Sequence, residues 1–142
     1  MLRLFPLLLI PLIIYNLFAL GGGVVAHHDV QELLLRTTSI PMFSGDRWLV
    51  SFSDFLILLT LALLFIEVIK ATHTTSLELI NHGLSMLVFV VALIEFITLH
   101  GFATSVFFII LMMTAFDVVA GYTISIVSAK HDLSIGPQSG GH

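Results

Sequence analysis

"FATSVFFIILMMTAFDVVAGYTISIV", from Phe102 to Val127, holds one charged side chain, Asp117, in a run of apolar and small residues. At about 1.5 Å of rise per residue, a helix of this length outreaches the roughly 30 Å hydrocarbon core of a bilayer. The neighbours suit lipid and the carboxylate suits water. Reading the stretch as a membrane helix decides the fold, because three more segments follow the same pattern.

Those segments run from Leu4 to Ala26, from Leu49 to Ile69 and from Leu77 to Leu99, and the first contains no charge. Each is near or above the roughly 20 residues that span a bilayer. Composition agrees. The chain is 58% hydrophobic and 10% charged, against about 25% charged in soluble domains. The expected fold class is all-α: an integral membrane four-helix bundle in one domain over residues 1–130, then a polar, disordered tail at 131–142. The net charge of −4 comes without a basic patch, which argues against nucleic acid as a partner. The absence of cysteine excludes disulfides and cysteine-ligated metal centres.

The first segment admits two readings. "MLR", an apolar run and "VVAHH" together have the form of a signal peptide cleaved after Ala26. The apolar run is long for that, and Pro6, Pro11 and Asn16 suit a helix packed on others, so a retained helix is favoured. With four spans, Arg3, Lys70 and Lys130 share one side and Arg36 and Arg47 the other. That bias places both termini in the cytoplasm, in a multi-pass protein of a bacterial inner membrane.

The connection from His27 to Trp48 is the one substantial loop. Within Asp29–Thr38, Val30, Leu33, Leu34 and Thr37 share a helical face opposite Glu32 and Arg36. This predicts a short helix in the membrane interface or packed back on the bundle. "SIPMFSGDRW" reads as a turn, with Trp48 anchoring the second span. "HG" at His100–Gly101 makes the third and fourth spans antiparallel neighbours.

"GDRW" before the second span, "FIEVIKAT" at its end, "VALIEF" in the third and "FDVVAG" in the fourth carry a resemblance over roughly Gly45 to Ser128. The chain resembles small bacterial four-helix inner-membrane proteins of unknown function. None of these strings is a catalytic signature, so the resemblance implies no chemistry.

Polar residues in the spans fall in register. Ser53, Thr60 and Glu67 are seven apart in the second, with Lys70 beyond. Glu78, Asn81, Ser85, Ala92 and Glu95 in the third, and Thr114, Asp117, Gly121 and Ser125 in the fourth, follow steps of three, four or seven. Each set lies on one helical face, which should turn inward. By depth, Asp54 and Glu95 belong to the half nearer the long loop, Glu67 and His82 to the other, and Asp117 to the midplane. A path from Glu95 through Asp117 to Glu67 or His82 is therefore conceivable.

Each group also has a plain structural reading. Glu67 and Lys70 form an i, i+3 ion pair with Lys70 snorkelling to the headgroups. Asp54 caps the second span beside Ser51 and Ser53. Glu95 stands near His100 and is half-solvated. Asp117 is a hydrogen-bonded or protonated structural carboxyl, or it serves an ion, a proton or a ligand. Of the seven histidines, His27 and His28, with Asp29 and Glu32, could ligate a metal, but read more simply as a polar cap. His82 alone lies within a span, so two axial histidines for a haem are lacking and no cofactor is expected. No nucleophile motif, phosphate loop or HExxH is present.

Two functions follow. The first is a non-enzymatic subunit or assembly component, in contact with lipid and with itself or other membrane subunits. The alternative is a small transporter or proton-conducting protein using Asp117, Glu95 and Glu67.

Overall fold

A computed structural model describes residues 5–25, 29–72 and 76–134. The protein is mostly helical, with three membrane-length apolar helices packed together, a shorter N-terminal helix and a β-hairpin. The elements are α1 (Leu9–Phe18), α2 (Val30–Leu34), β1 (Thr37–Pro41), β2 (Arg47–Ser51), α3 (Phe52–Lys70), α4 (Ser76–Thr98) and α5 (Ser105–Ser134), with a π-helical stretch, Ala19–Val25, following α1 directly.

Three helices are long and apolar enough to cross a membrane: Phe52–Lys70, Ile80–Thr98 and Ser105–His131. This makes the chain a multi-span membrane protein. The first apolar segment differs from the expected full span. Its α-helix measures about 15 Å at 1.5 Å per residue, half a hydrocarbon core, before the π turn takes over. Pro6 holds the chain in a turn ahead of the helix, where the Leu9 N–H reaches the Pro6 carbonyl. Pro11 falls in the first helical turn, where its missing N–H costs no intrahelical bond.

The all-α expectation also needs correction in the long loop. Asp29 caps α2 by accepting the Gln31 N–H at 2.9 Å, and Val30 and Leu34 are buried against the bundle. That helix stops at Leu34 instead of reaching Thr38. The chain then extends into an antiparallel hairpin pairing Thr37 with Ser51 and Ile40 with Trp48. The β-branched residues Thr37, Thr38 and Ile40 favour a strand, and the Ser44–Asp46 contacts close the turn that sequence placed here. The hairpin is exposed except where β2 runs into α3. Trp48 is among its exposed residues.

At that junction Ser51 and Asp54 form a reciprocal capping box. Asp54 N–H donates to Ser51 Oγ at 3.2 Å, and Ser51 N–H donates to Asp54 Oδ2 at 2.8 Å. The structure thus gives Asp54 its capping role. Between α4 and α5, Gly101 adopts φ +84°, a left-handed turn, and a Cβ there would lie 3.1 Å from Val30 Cγ2. Glycine therefore serves both the turn and the seating of α2.

α5 is the central helix, packing against both α4 and α3. It continues to Ser134, so the first residues of the expected tail are helical; residues 135–142 lie outside the described residues. The apolar core gathers Leu12, Tyr15, Leu56, Val88, Ala92, Phe102, Phe107, Ile110 and Leu111 in the half nearer the hairpin. The outer faces carry exposed apolar side chains such as Leu58, Phe65, Leu87, Ile97, Phe116 and Val119, which suits lipid contact.

Candidate functional site

The polar stripes face inward. Ser53, Thr60 and Glu67 on α3, Asn81 and Ser85 on α4, and Thr114 and Asp117 on α5 are all buried. The side chain of Glu78 lies outside the described ones. Thr60 and Thr114 satisfy themselves on their own helices, donating to the Leu56 and Leu111 carbonyls. The remaining groups separate into two centres.

The first centre is built on Glu67, whose side chain is fully buried. Its carboxylate accepts the Leu7 backbone N–H at 3.2 Å, the Asn81 side-chain amide, and Lys70 Nζ at 3.0 and 3.1 Å. Lys70 also donates to the Phe5 carbonyl at 3.1 Å. The pair expected from spacing is present, but Lys70 folds back into the bundle, its side chain 16% exposed, instead of snorkelling. One carboxylate thereby joins the approach to α1, the end of α3 and the start of α4.

Asp117 lies beside this knot, 2% exposed. Glu67 and Lys70 are close enough to act on it electrostatically. Ser85 on α4 directs its hydroxyl at the Asp117 carboxyl without reaching full hydrogen-bond geometry. His82, 1% exposed, sits one turn before it. Its Nε2 is 3.0 Å from Ser125 Oγ, and its ring centre is 5.9 Å from that of Tyr122. Gly121 makes this seat possible, because a Cβ there would come within 2.5 Å of His82 Nδ1.

The second centre is at the other end of the bundle. Asn16 donates to Glu95 Oε2 at 3.0 Å and to the Leu12 carbonyl at 3.0 Å. Tyr15 donates to the Gly101 carbonyl at 2.9 Å and pairs with Thr104 Oγ1 at 2.7 Å, against the rings of Phe102 and Phe107. Glu95 therefore answers to Asn16, and His100 is exposed.

Sequence depth allowed a path between these centres. Glu95 is about 15 Å along α4 from Ser85, at 1.5 Å per residue. The interval is filled by Leu56, Val88, Ala92, Phe107, Ile110 and Leu111, all within one apolar cluster. Glu67, Lys70 and Asp117 are brought together, His82 faces Gly121 and Ser125 on α5, and Glu95 and Asp54 are not among them.

Tyr15 and Leu7 were missed by sequence reasoning. Tyr15 left a signal, a polar tip beside Asn16 in an apolar run, whereas a backbone N–H such as that of Leu7 leaves none. His27 and His28 lie outside the described residues, and Glu32 is exposed on α2. Among the described residues no three His, Cys, Asp or Glu side chains group as metal ligands. No family model, no curated protein and no solved structure matches the chain, so the resemblance drawn from short strings assigns no family.

Proposed function

We propose that the chain is a non-enzymatic subunit or assembly component of a larger complex in a bacterial inner membrane, with both termini cytoplasmic. The apolar cluster of Leu56, Val88, Ala92, Phe107, Ile110 and Leu111 supports this reading, since among the described residues it lies between the Glu67 and Glu95 centres. The buried polar groups act between helices: Glu67 binds Leu7 and Asn81, Asn16 binds Glu95, and Tyr15 binds Thr104. The exposed apolar faces of α3, α4 and α5 offer surface to lipid and to neighbouring transmembrane helices. Isolation of the tagged chain in mild detergent, with mass measurement of the intact particle, tests this. A larger membrane partner at fixed stoichiometry is expected; a bare monomer or homo-oligomer overturns the proposal.

One observation favours the alternative, a small transporter or proton conductor. Asp117 is buried near the middle of α5, with Ser85 of α4 as its side-chain partner among the described residues. An intramembrane carboxyl in that condition is a familiar mark of ion or proton movement. Proton flux in vesicles that is lost on Asp117→Asn, with assembly unchanged, would establish this reading over the first.

A further inference from the structure

The N-terminal segment and α4 are joined by polar bonds at two levels and stand apart between them. At one level the Glu67 carboxylate accepts both the Leu7 N–H and the Asn81 amide. At the other, Asn16 donates to Glu95. Along α4 between these bonds lies a groove of about 270 Å³, with Phe5 and Leu9 on one wall and Leu84, Leu87, Val88 and Val91 on the other. Every side chain that lines it is apolar. Leu87 is 62% exposed there, and Leu84 and Val91 are exposed as well. The bonds at both levels hold the walls apart, and an unfilled apolar groove forfeits the dispersion contacts of its lining.

Depth and size select what fills it. The four α4 residues share one helical face. Leu84 lies about 6 Å in from the Ile80 end of the Ile80–Thr98 span, and Val91 about 10 Å from the other end, at 1.5 Å per residue. The groove is thus at hydrocarbon depth, and water would find no hydrogen-bond partner on its lining. From Leu84 to Val91 it runs about 10 Å, over which a helix about 10 Å across would need on the order of 800 Å³. A single methylene chain, about 4–5 Å across at carbon contact distance, needs on the order of 150 Å³ over the same length. The groove therefore admits a hydrocarbon chain and excludes a helix.

We propose that this groove binds one acyl chain of a membrane phospholipid, drawn from the leaflet on the Lys70 side, to which the groove lies nearer. The chain is a resident ligand wedged between the N-terminal segment and α4, unlike lipid that only wets the outer faces. Phe5 both lines the groove and gives its carbonyl to Lys70, so the Glu67–Lys70 knot holds one wall in place.

The test reconstitutes the full chain in phosphatidylcholine vesicles that contain phosphatidylcholine with a photoreactive diazirine in mid-chain. Adducts are located by mass spectrometry after illumination. They are expected to concentrate at Phe5–Leu9 and Leu84–Val91 and to saturate at one lipid per chain. Val91→Trp, whose indole fills the groove, should lower them about tenfold, as for an overpacked site. Leu58→Trp, on the exposed face of α3, should leave them unchanged. Phosphatidylglycerol with the same chain should label within about threefold of phosphatidylcholine, because no polar side chain lines the groove to read a headgroup. Overturning results are adducts no denser in the groove than along Leu58–Phe65, groove adducts undiminished in Val91→Trp, or a strong headgroup preference. A groove filled by side chains of a partner helix, or by residues 1–4, would give the first of these. Should Val91→Trp fail to fold, the intact mass of the wild-type chain in mild detergent decides: one phospholipid retained per chain supports the site, and a chain free of lipid overturns it.

Discussion

The carboxylate of Glu67 accepts a hydrogen bond from the backbone N–H of Leu7, a residue 60 positions earlier in the chain. That N–H belongs to the turn before α1, where no helical carbonyl can take it. The acceptor is a side chain with no solvent exposure, already held by Lys70 and Asn81. One buried anion therefore fixes where the N-terminal segment meets the rest of the bundle, and several tests follow from its position.

Removing Lys70 alone should be worse than removing the pair. Lys70→Gln leaves a buried Glu67 charge without its cation, a loss of about 3–5 kcal/mol for buried pairs. Adding Glu67→Gln removes the charge and keeps an acceptor for Leu7 and Asn81. Chemical unfolding in detergent should find the double variant more stable than Lys70→Gln. Simple additivity in the cycle would mean that the two residues do not act as a pair.

Gly121→Ala should destabilise by about 1–3 kcal/mol, the usual range for overpacking. Its Cβ would overlap the His82 ring at Nδ1 and Cε1 and drive it from Ser125. Combining it with His82→Ala should recover part of the loss. Unfolding midpoints of the three variants measure this, and no recovery would show that the crowding lies elsewhere.

Asp117→Asn should assemble normally, since it keeps an acceptor for Ser85 and adds a donor. Asp117→Leu should lose about 1–3 kcal/mol more by stranding the polar groups around it. Gel filtration and unfolding of both variants separate the cases. Normal stability of the Leu variant would show that the α5 carboxyl contributes nothing to packing.

Tyr15→Phe removes the hydroxyl that links α1 to Gly101 and Thr104 while leaving the ring stack. Because the Thr104 hydroxyl also receives the Phe107 N–H, a loss of about 1–2 kcal/mol is expected. Increased protease or label access at the His100–Gly101 turn would report the loosening.

A reporter after His142 and one ahead of Met1 should be active on the same side of the membrane. Lys70 holds Phe5 at one end of the bundle, and α5, starting at the other end, returns to it. Activity of both in the cytoplasmic form is the expected result, following the Lys/Arg bias. Opposite sides would mean that the N-terminal segment does not cross with the other helices.

Helix faces were legible in the sequence because lipid and core select for different residues at a fixed angular spacing. Ser53, Thr60 and Glu67 turned out buried, as did Asn81, Ser85, Thr114 and Asp117. Periodicity gives a face but not the partner across it. The joining of Glu67 to Leu7, and of Asn16 to Glu95, therefore could not be read. The hairpin was missed for another reason. Thr37 continues the helical spacing of Val30, Leu33 and Leu34, yet its β-branched neighbours favour a strand that tertiary pairing with Val50 and Ser51 can reward. The packing of Leu56, Val88, Ala92 and Phe107 into one cluster was out of reach as well, because depth along single helices does not reveal what fills the space between them.

The Tyr15 hydroxyl finds its acceptor at Gly101, 86 residues later in the chain. At ribosomal rates of about 5–20 residues per second, that acceptor emerges on the order of ten seconds after Tyr15. The Tyr15 hydroxyl must therefore do without this acceptor while α3 and α4 are made. Its contact with Gly101 forms only when the turn before α5 arrives. The N-terminal segment is thus secured in two stages, first at Phe5 and Leu7 by α3 and later at Tyr15 by the turn before α5.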